Sequence, residues 1–148
     1  AQAQAQVDAY GRITAIDMNT GEHVWMVPNG DGPIDHPDLV DLELAQLGVP
    51  GRPSPLLTKT LLFIGEGLTN RRPGGRIPFD MPIEIATNSG GPLFRAYDKD
   101  SGDIVWEVEL DAGTTGPPIT YLHEGEQFIL VAIGDRLHSP ELVAFKLP

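Results

Sequence analysis

Ala15-Ile16-Asp17-Met18-Asn19-Thr20-Gly21-Glu22-His23-Val24-Trp25 is met a second time as Ala96-Tyr97-Asp98-Lys99-Asp100-Ser101-Gly102-Asp103-Ile104-Val105-Trp106. Ala, Asp, Gly, Val and Trp coincide at one offset, 96 − 15 = 81. In both copies an apolar stretch runs into Asp, then a polar turn closed by Gly, then a second stretch carrying Trp. Asp17 and Asp98 bond the amides of their own turns, and Gly21 and Gly102 supply the positive φ that closes them, so each copy reads as two strands around a tight turn. Trp25 and Trp106 each offer a large flat surface to a neighbouring layer.

A third, partial copy stands near the end. Leu142-Val143-Ala144-Phe145-Lys146 repeats the approach seen in Ile13 to Asp17 and in Phe94 to Asp98, at an offset of 144 − 96 = 48. A period near 48 falls where four-stranded propeller blades fall. The first interval is longer by 81 − 48 = 33 residues, and these are assigned to loop insertions at 29–53 and 68–92, both dense in Gly, Pro and Asp. With 17 glycines and 14 prolines the chain is punctuated too often for long helices. Alternation and turn chemistry predict strands at 55–60, 61–65, 93–98 and 103–110 for a complete blade, then 118–122, 127–133 and 141–147. Two more come from the first motif. The expected fold is all-β, a β-propeller sector of one complete four-stranded blade with parts of two neighbours. Ile104, Trp106 and Val108 alternate onto one face of their strand, and Val105, Glu107 and Glu109 onto the other. The last blade lacks an outer strand, leaving an edge that propellers ordinarily close with strand from elsewhere in the polypeptide.

Composition narrows the function. Ten Lys+Arg against 21 Asp+Glu give a net charge of -11, the wrong sign for a nucleic-acid partner or an anionic membrane surface. No apolar run approaches the roughly 20 residues of a spanning helix. The lack of cysteine removes disulfides, thiolate metal sites, haem attachment and a Cys nucleophile together. Residues 1–10, opening on an Ala/Gln repeat, read as a low-complexity or disordered tail, or as the remnant of cleavage at an A-x-A-like site, with residues 11–148 forming the propeller segment.

The pattern A-x-D-x-x-[TS]-G-x-x-x-W, met twice, resembles the tryptophan-docking motif of the pyrroloquinoline-quinone (PQQ)-dependent dehydrogenases, the eight-bladed quinoprotein glucose and alcohol dehydrogenase family. Thr58 to Gly65, Phe94 to Asp98, Gly113 to Tyr121 and the terminal Leu147-Pro148 agree with the C-terminal part of its glucose-type branch. The resemblance implies a structural docking role for Asp17, Gly21, Trp25, Asp98, Gly102 and Trp106, and a periplasmic enzyme that oxidises an aldose sugar or alcohol with PQQ and calcium, the metal acting as Lewis acid. The family's calcium ligands and catalytic base lie in segments that match nothing here, so no catalytic, metal or cofactor-binding residue is assigned and the isolated chain is expected to be inactive. The implied partner is the remainder of the propeller or a second copy. The alternative is a non-catalytic scaffold or self-associating interaction module.

Other constellations are weaker. Asp31, Asp35, His36, Asp38 and Asp41 crowd one insertion and read first as a solvated acidic loop, second as a calcium site. Asp98 to Asp103 fails the EF-hand pattern because Gly falls fifth and no acid stands twelfth. His123-Glu124 has no second His four residues on and decorates a turn. Asn70 to Arg76 is the one basic island, read as a loop tip, and Arg52 and Arg95 stand singly.

Overall fold

The computed structural model describes residues 11–49, 53–67, 90–135 and 138–147. Nine strands occur among them: β1 (Arg12–Ile16), β2 (His23–Pro28), β3 (Leu56–Leu57), β4 (Leu61–Gly65), β5 (Leu93–Asp98), β6 (Ile104–Glu109), β7 (Ile119–His123), β8 (Glu126–Ile133) and β9 (Glu141–Lys146). They form three antiparallel sheets in the expected proportion, β1-β2, then β3-β4-β5-β6, then β7-β8-β9. The only helical element among the described residues is a 3-10 turn at Val40–Leu42. The chain is all-β, a propeller sector.

The offset of 81 is carried into the backbone. β1 and β2 shifted by 81 give 93–97 and 104–109, the positions of β5 and β6. Each pair carries a register shift at the same place, between Ala15 and Ile16 and between Ala96 and Tyr97. The first sheet therefore holds the counterparts of the two outer strands of the second.

One expected strand is much shorter than its sequence suggests. Of 55–60, only Leu56 and Leu57 pair, with Phe63 and Leu62. Thr58 closes the turn: its N–H and its Oγ1 both donate to Leu61 O, at 2.8 and 2.9 Å, and Leu61 N–H donates back to Thr58 Oγ1. A threonine that bonds locally competes with the ladder, and here it wins. The β7–β8 turn has Glu124 at φ 52° and Gly125 at φ 82°, the two positive values of a type I′ hairpin. The insertion after β2 is organised at its root, where Leu47, Gly48 and Val49 return their amides to Asp31, Gly30 and Asn29.

The apolar residues fall into two clusters, one on each side of the central sheet. Phe63, Phe94 and Ala96 meet Ile129, Val131 and Ile133 of the third sheet. On the opposite face Leu62, Ile64 and Tyr97 meet Ile13, Trp25 and Val27 of the first. Strand period 2 sends Phe94 and Ala96 one way and Arg95 and Tyr97 the other, so β5 is the wall between two interfaces.

Candidate functional site

The two repeated turns are built alike. Asp17 Oδ1 accepts the Asn19 amide at 2.7 Å, and Asp98 Oδ1 accepts those of Asp100 and Ser101 at 2.9 and 3.0 Å. Gly21 and Gly102, at φ 76° and 80°, donate their amides to Asp17 O and Asp98 O. The Ser101 amide, with that of Asp100, holds the Asp98 carboxyl below the ordinary carboxylate range.

What differs is the use made of each tryptophan. The Trp25 ring lies over Gly102, where a Cβ would stand 2.8 Å from its Cδ2, and its Nε1–H donates to Lys99 O at 2.9 Å. The first sheet is thereby hydrogen-bonded to the Asp98–Gly102 turn of the second. Trp106 meets Phe145 of the third sheet and Phe94 of its own edge-on, at 5.2 and 6.1 Å between centroids, and remains 38% exposed. Of the six motif residues the structure brings Trp25, Asp98 and Gly102 together. Asp17 and Gly21 form a separate turn, with nothing within 4 Å of the position a Gly21 Cβ would take.

Beside Trp25 lies a feature the sequence reading passed over. Arg95, treated there as a single uninformative cation, is 2% exposed. Its Nη1 donates to Glu66 Oε1 at 2.6 Å and its Nε to Glu107 Oε2, the residue directly across the ladder on β6. Glu66 is itself 1% exposed. A Cβ on Gly30 or Gly91 would collide with the Glu66 carboxylate, so the two glycines make the space that admits it. Burial alone would lower the Arg95 pKa, but the charge of Glu66 overrides it and holds the guanidinium above its ordinary value. Burial pushes the Tyr97 phenol up. The Tyr97 hydroxyl and Asn29 Oδ1 are buried without a hydrogen-bond partner among the described residues, whereas Asn29 Nδ2 donates to Gly65 O at 3.0 Å. A usable signal was present: a charge at the centre of a strand read as interior to a four-stranded sheet must find a buried counter-charge.

The remaining candidates separate. In the acidic insertion Asp35, Asp38 and Asp41 are exposed while His36 is buried, its Nδ1 accepting the Asp38 amide, and Asp31 accepts from Gln46 Nε2. No group of three or more His, Cys, Asp or Glu placed to hold a metal occurs among the described residues. His123 lies edge-on to Phe128. Arg52 and the basic island at 70–76 fall outside the described residues, as do 1–10. PQQ, a tricarboxylate quinone, needs cationic donors free to meet it. The buried cation here, Arg95, is already matched by two carboxylates, and Lys99 Nζ is directed to Lys59 O and Asp100. Neither Arg95 nor Lys99 is therefore free to meet the cofactor.

No helix among the described residues is long and apolar enough to cross a membrane. The family model for the glucose/ethanol/alcohol dehydrogenase β-propeller domain, labelled PQQ, matches residues 1–129. A probable quinate dehydrogenase (quinone) of Xanthomonas campestris pv. juglandis is 26% identical over 97% of this chain and 16% of its own length. Quinoprotein glucose dehydrogenase A of Acinetobacter calcoaceticus is 26% identical over 95% and 16%. The glycerol dehydrogenase large subunit of Gluconobacter thailandicus is 29% identical over 94% and 17%. The chain spans about one sixth of the length of these relatives. With a repeat that sets the strands, three sheets stacked through a shared wall, and a family model covering most of its length, this chain belongs to the PQQ-dependent dehydrogenase β-propeller family.

Proposed function

We propose that the chain is a wall sector of a periplasmic PQQ-dependent dehydrogenase that oxidises an aldose sugar or an alcohol, and that its own work is to dock successive blades. The observation that carries this reading is the Trp25 indole, which leaves its own sheet to hydrogen-bond Lys99 O in the next. Asp17, Gly21, Asp98, Gly102 and Trp106 serve the same docking, with residues 11–148 acting as one propeller segment. PQQ and calcium act in the whole enzyme, held by residues outside this chain, and the partner is the remainder of the propeller. The names of the relatives, which act on glucose, quinate and glycerol, support the substrate class.

Two measurements test it. The chain alone, given PQQ and calcium, is expected to reduce no dye with glucose, quinate, glycerol or ethanol; turnover requiring both additions would overturn the division of labour. Grafted into a quinoprotein glucose dehydrogenase in place of the matching sixth, the chain is expected to support PQQ-dependent aldose oxidation. A folded chimera that binds PQQ yet stays inactive would favour the scaffold reading.

A further inference from the structure

Four asparagines occur in the sequence, at 19, 29, 70 and 88, and only Asn29 is followed by glycine. An Asn-Gly pair is open to succinimide chemistry, because no side chain shields the glycine amide and glycine reaches the backbone shapes that the ring needs. The Gly30 nitrogen attacks Asn29 Cγ and loses its proton to solvent base, and the Nδ2 group leaves as ammonia. Water then opens the ring at either carbonyl. The net change is Asn29 plus water to aspartate or isoaspartate plus ammonia, with no oxidant or reductant. Here the fold holds the pair on every side. Asn29 is 3% exposed. Its N–H donates to Gly11 O at 2.9 Å, its C=O accepts from Val49 N–H at 2.8 Å, and Gly30 O accepts from Gly48 N–H at 3.0 Å. Nδ2, the leaving group, donates to Gly65 O of β4 at 3.0 Å, so turning the side chain toward Gly30 breaks a bond that joins the first sheet to the second. The crossing has no slack, since a Cβ on Gly11 would collide with Val49 O and one on Gly48 with Gly11 O.

We propose that Asn29-Gly30 is a latent modification site, closed while the first sheet is docked on the second and converted once that junction opens, to a product that cannot dock again. Three changes make the conversion one-way. Aspartate has lost the Nδ2 donor and sets a negative oxygen against the Gly65 carbonyl. Asn29 Oδ1 already lacks a donor among the described residues, so the new charge is buried without one, in a wall where Gly30 packs on the Glu66 carboxylate. Isoaspartate also moves the side-chain methylene into the main chain, where the close crossing of Gly11 and Gly48 has no room for it. The site thus keeps a covalent record of junction opening and retires the chains that carry it. The inference goes beyond blade docking and uses no quinone chemistry, and its readout is independent of turnover.

The full chain is incubated in mildly alkaline buffer, with and without unfolding urea, and digests are read by mass spectrometry for the gain in mass that marks amide-to-acid conversion. Asn29 is expected to convert at least about tenfold more slowly in the folded chain, because the rate is scaled by the fraction that is open. Equal rates overturn the proposal. Trp25→Phe removes the bond to Lys99 O and leaves the Asn-Gly pair intact. It is expected to speed conversion of Asn29 several-fold in the folded chain and to leave the exposed Asn19 unchanged. An unaltered Asn29 rate in that variant overturns the junction as the gate. Asn29→Asp stands in for one product and is expected to lose protection of the Trp25 indole N–H against hydrogen exchange, while the amides of β7, β8 and β9 stay protected. Indole protection equal to that of the native chain overturns the claim that the product cannot dock. Loss of protection throughout the chain overturns its confinement to that junction.

Discussion

The two faces of β5 make two unlike interfaces from one repeat. Shifted by 48, Arg95 and Tyr97, which face the first sheet, correspond to Val143 and Phe145, which face the second. The same positions of the same fold thus carry a buried guanidinium and phenol at one junction and a valine and phenylalanine at the next. The second junction is an aromatic stack, with Phe94 at 6.2 Å from Phe63 and 6.0 Å from Phe145, and it draws its energy from area removed from water. The first relies on directed contacts, the Trp25 indole with Lys99 O and the Asn29 amide with Gly65 O, beside a buried pair of Arg95 with Glu66 that lies within the second sheet. A dry stack tolerates sliding, whereas hydrogen bonds across a junction keep their geometry only in register. The comparison teaches that the repeat fixes where blades meet and leaves open how.

The largest effect is expected at the apolar junction. Phe94→Ala removes a fully buried ring from three aromatic partners and should cost about 4 kcal/mol in a urea titration; a loss below about 1 kcal/mol would mean that the stack collapses without penalty. Arg95→Met is expected to cost about 3 kcal/mol, because it leaves the Glu66 carboxylate buried without its guanidinium. Adding Glu66→Met should return most of that loss. If the double variant is no better than the single, the pair contributes more than mutual neutralisation and the contrast between the junctions sharpens. Trp106→Ala should cost roughly 2 kcal/mol, less than a fully buried aromatic, since more than a third of its surface is already in water. Trp25→Phe, which keeps a smaller aromatic ring and deletes the donor, should cost about 1–2 kcal/mol. Equal losses for Trp25→Phe and Trp106→Phe would erase the difference between the two tryptophans.

The smallest effect is at the exposed turn. The Asp98 pKa is lowered in the folded state by the Ser101 and Asp100 amides, so its contribution is present above the unfolded value of about 3.9 and is lost as pH falls through the folded one. Asp98→Asn should flatten the acid limb of the stability curve, with its small loss seen at neutral pH, where the carboxylate's contribution is present, and vanishing in acid, where the wild-type carboxyl is protonated as well. An NMR titration of the Asp98 carboxyl with a midpoint above 4 would contradict the turn geometry.

Strand positions and their grouping were legible because alternation, Asp and Gly are local signals, and the offsets of 81 and 48 mapped onto the sheets with ends moving by a residue or so. The exception, 55–60, failed because Thr58 spends its hydroxyl on Leu61 rather than leaving the strand to run on. The buried pair was not legible in the same way. Glu66 and Arg95 are 29 residues apart, and nothing local indicates that the chain between them returns to bring Gly91 against the carboxylate. The equivalence of Trp25 and Trp106, apparent in sequence, is broken by what each faces, which depends on the neighbouring sheet and not on the motif.

Phe94 and Arg95 are adjacent in the chain and serve opposite junctions, so among the described residues the first and third sheets pack on opposite faces of the second. Stability then behaves as a nearest-neighbour sum along a row of sheets. Substitutions at Ile13 and at Val143, separated by that wall, should add without coupling, whereas either should couple to changes within β5. A perturbation entering at one end of the row must cross the central sheet to be felt at the other, and the rigidity of β5 sets how much of it arrives.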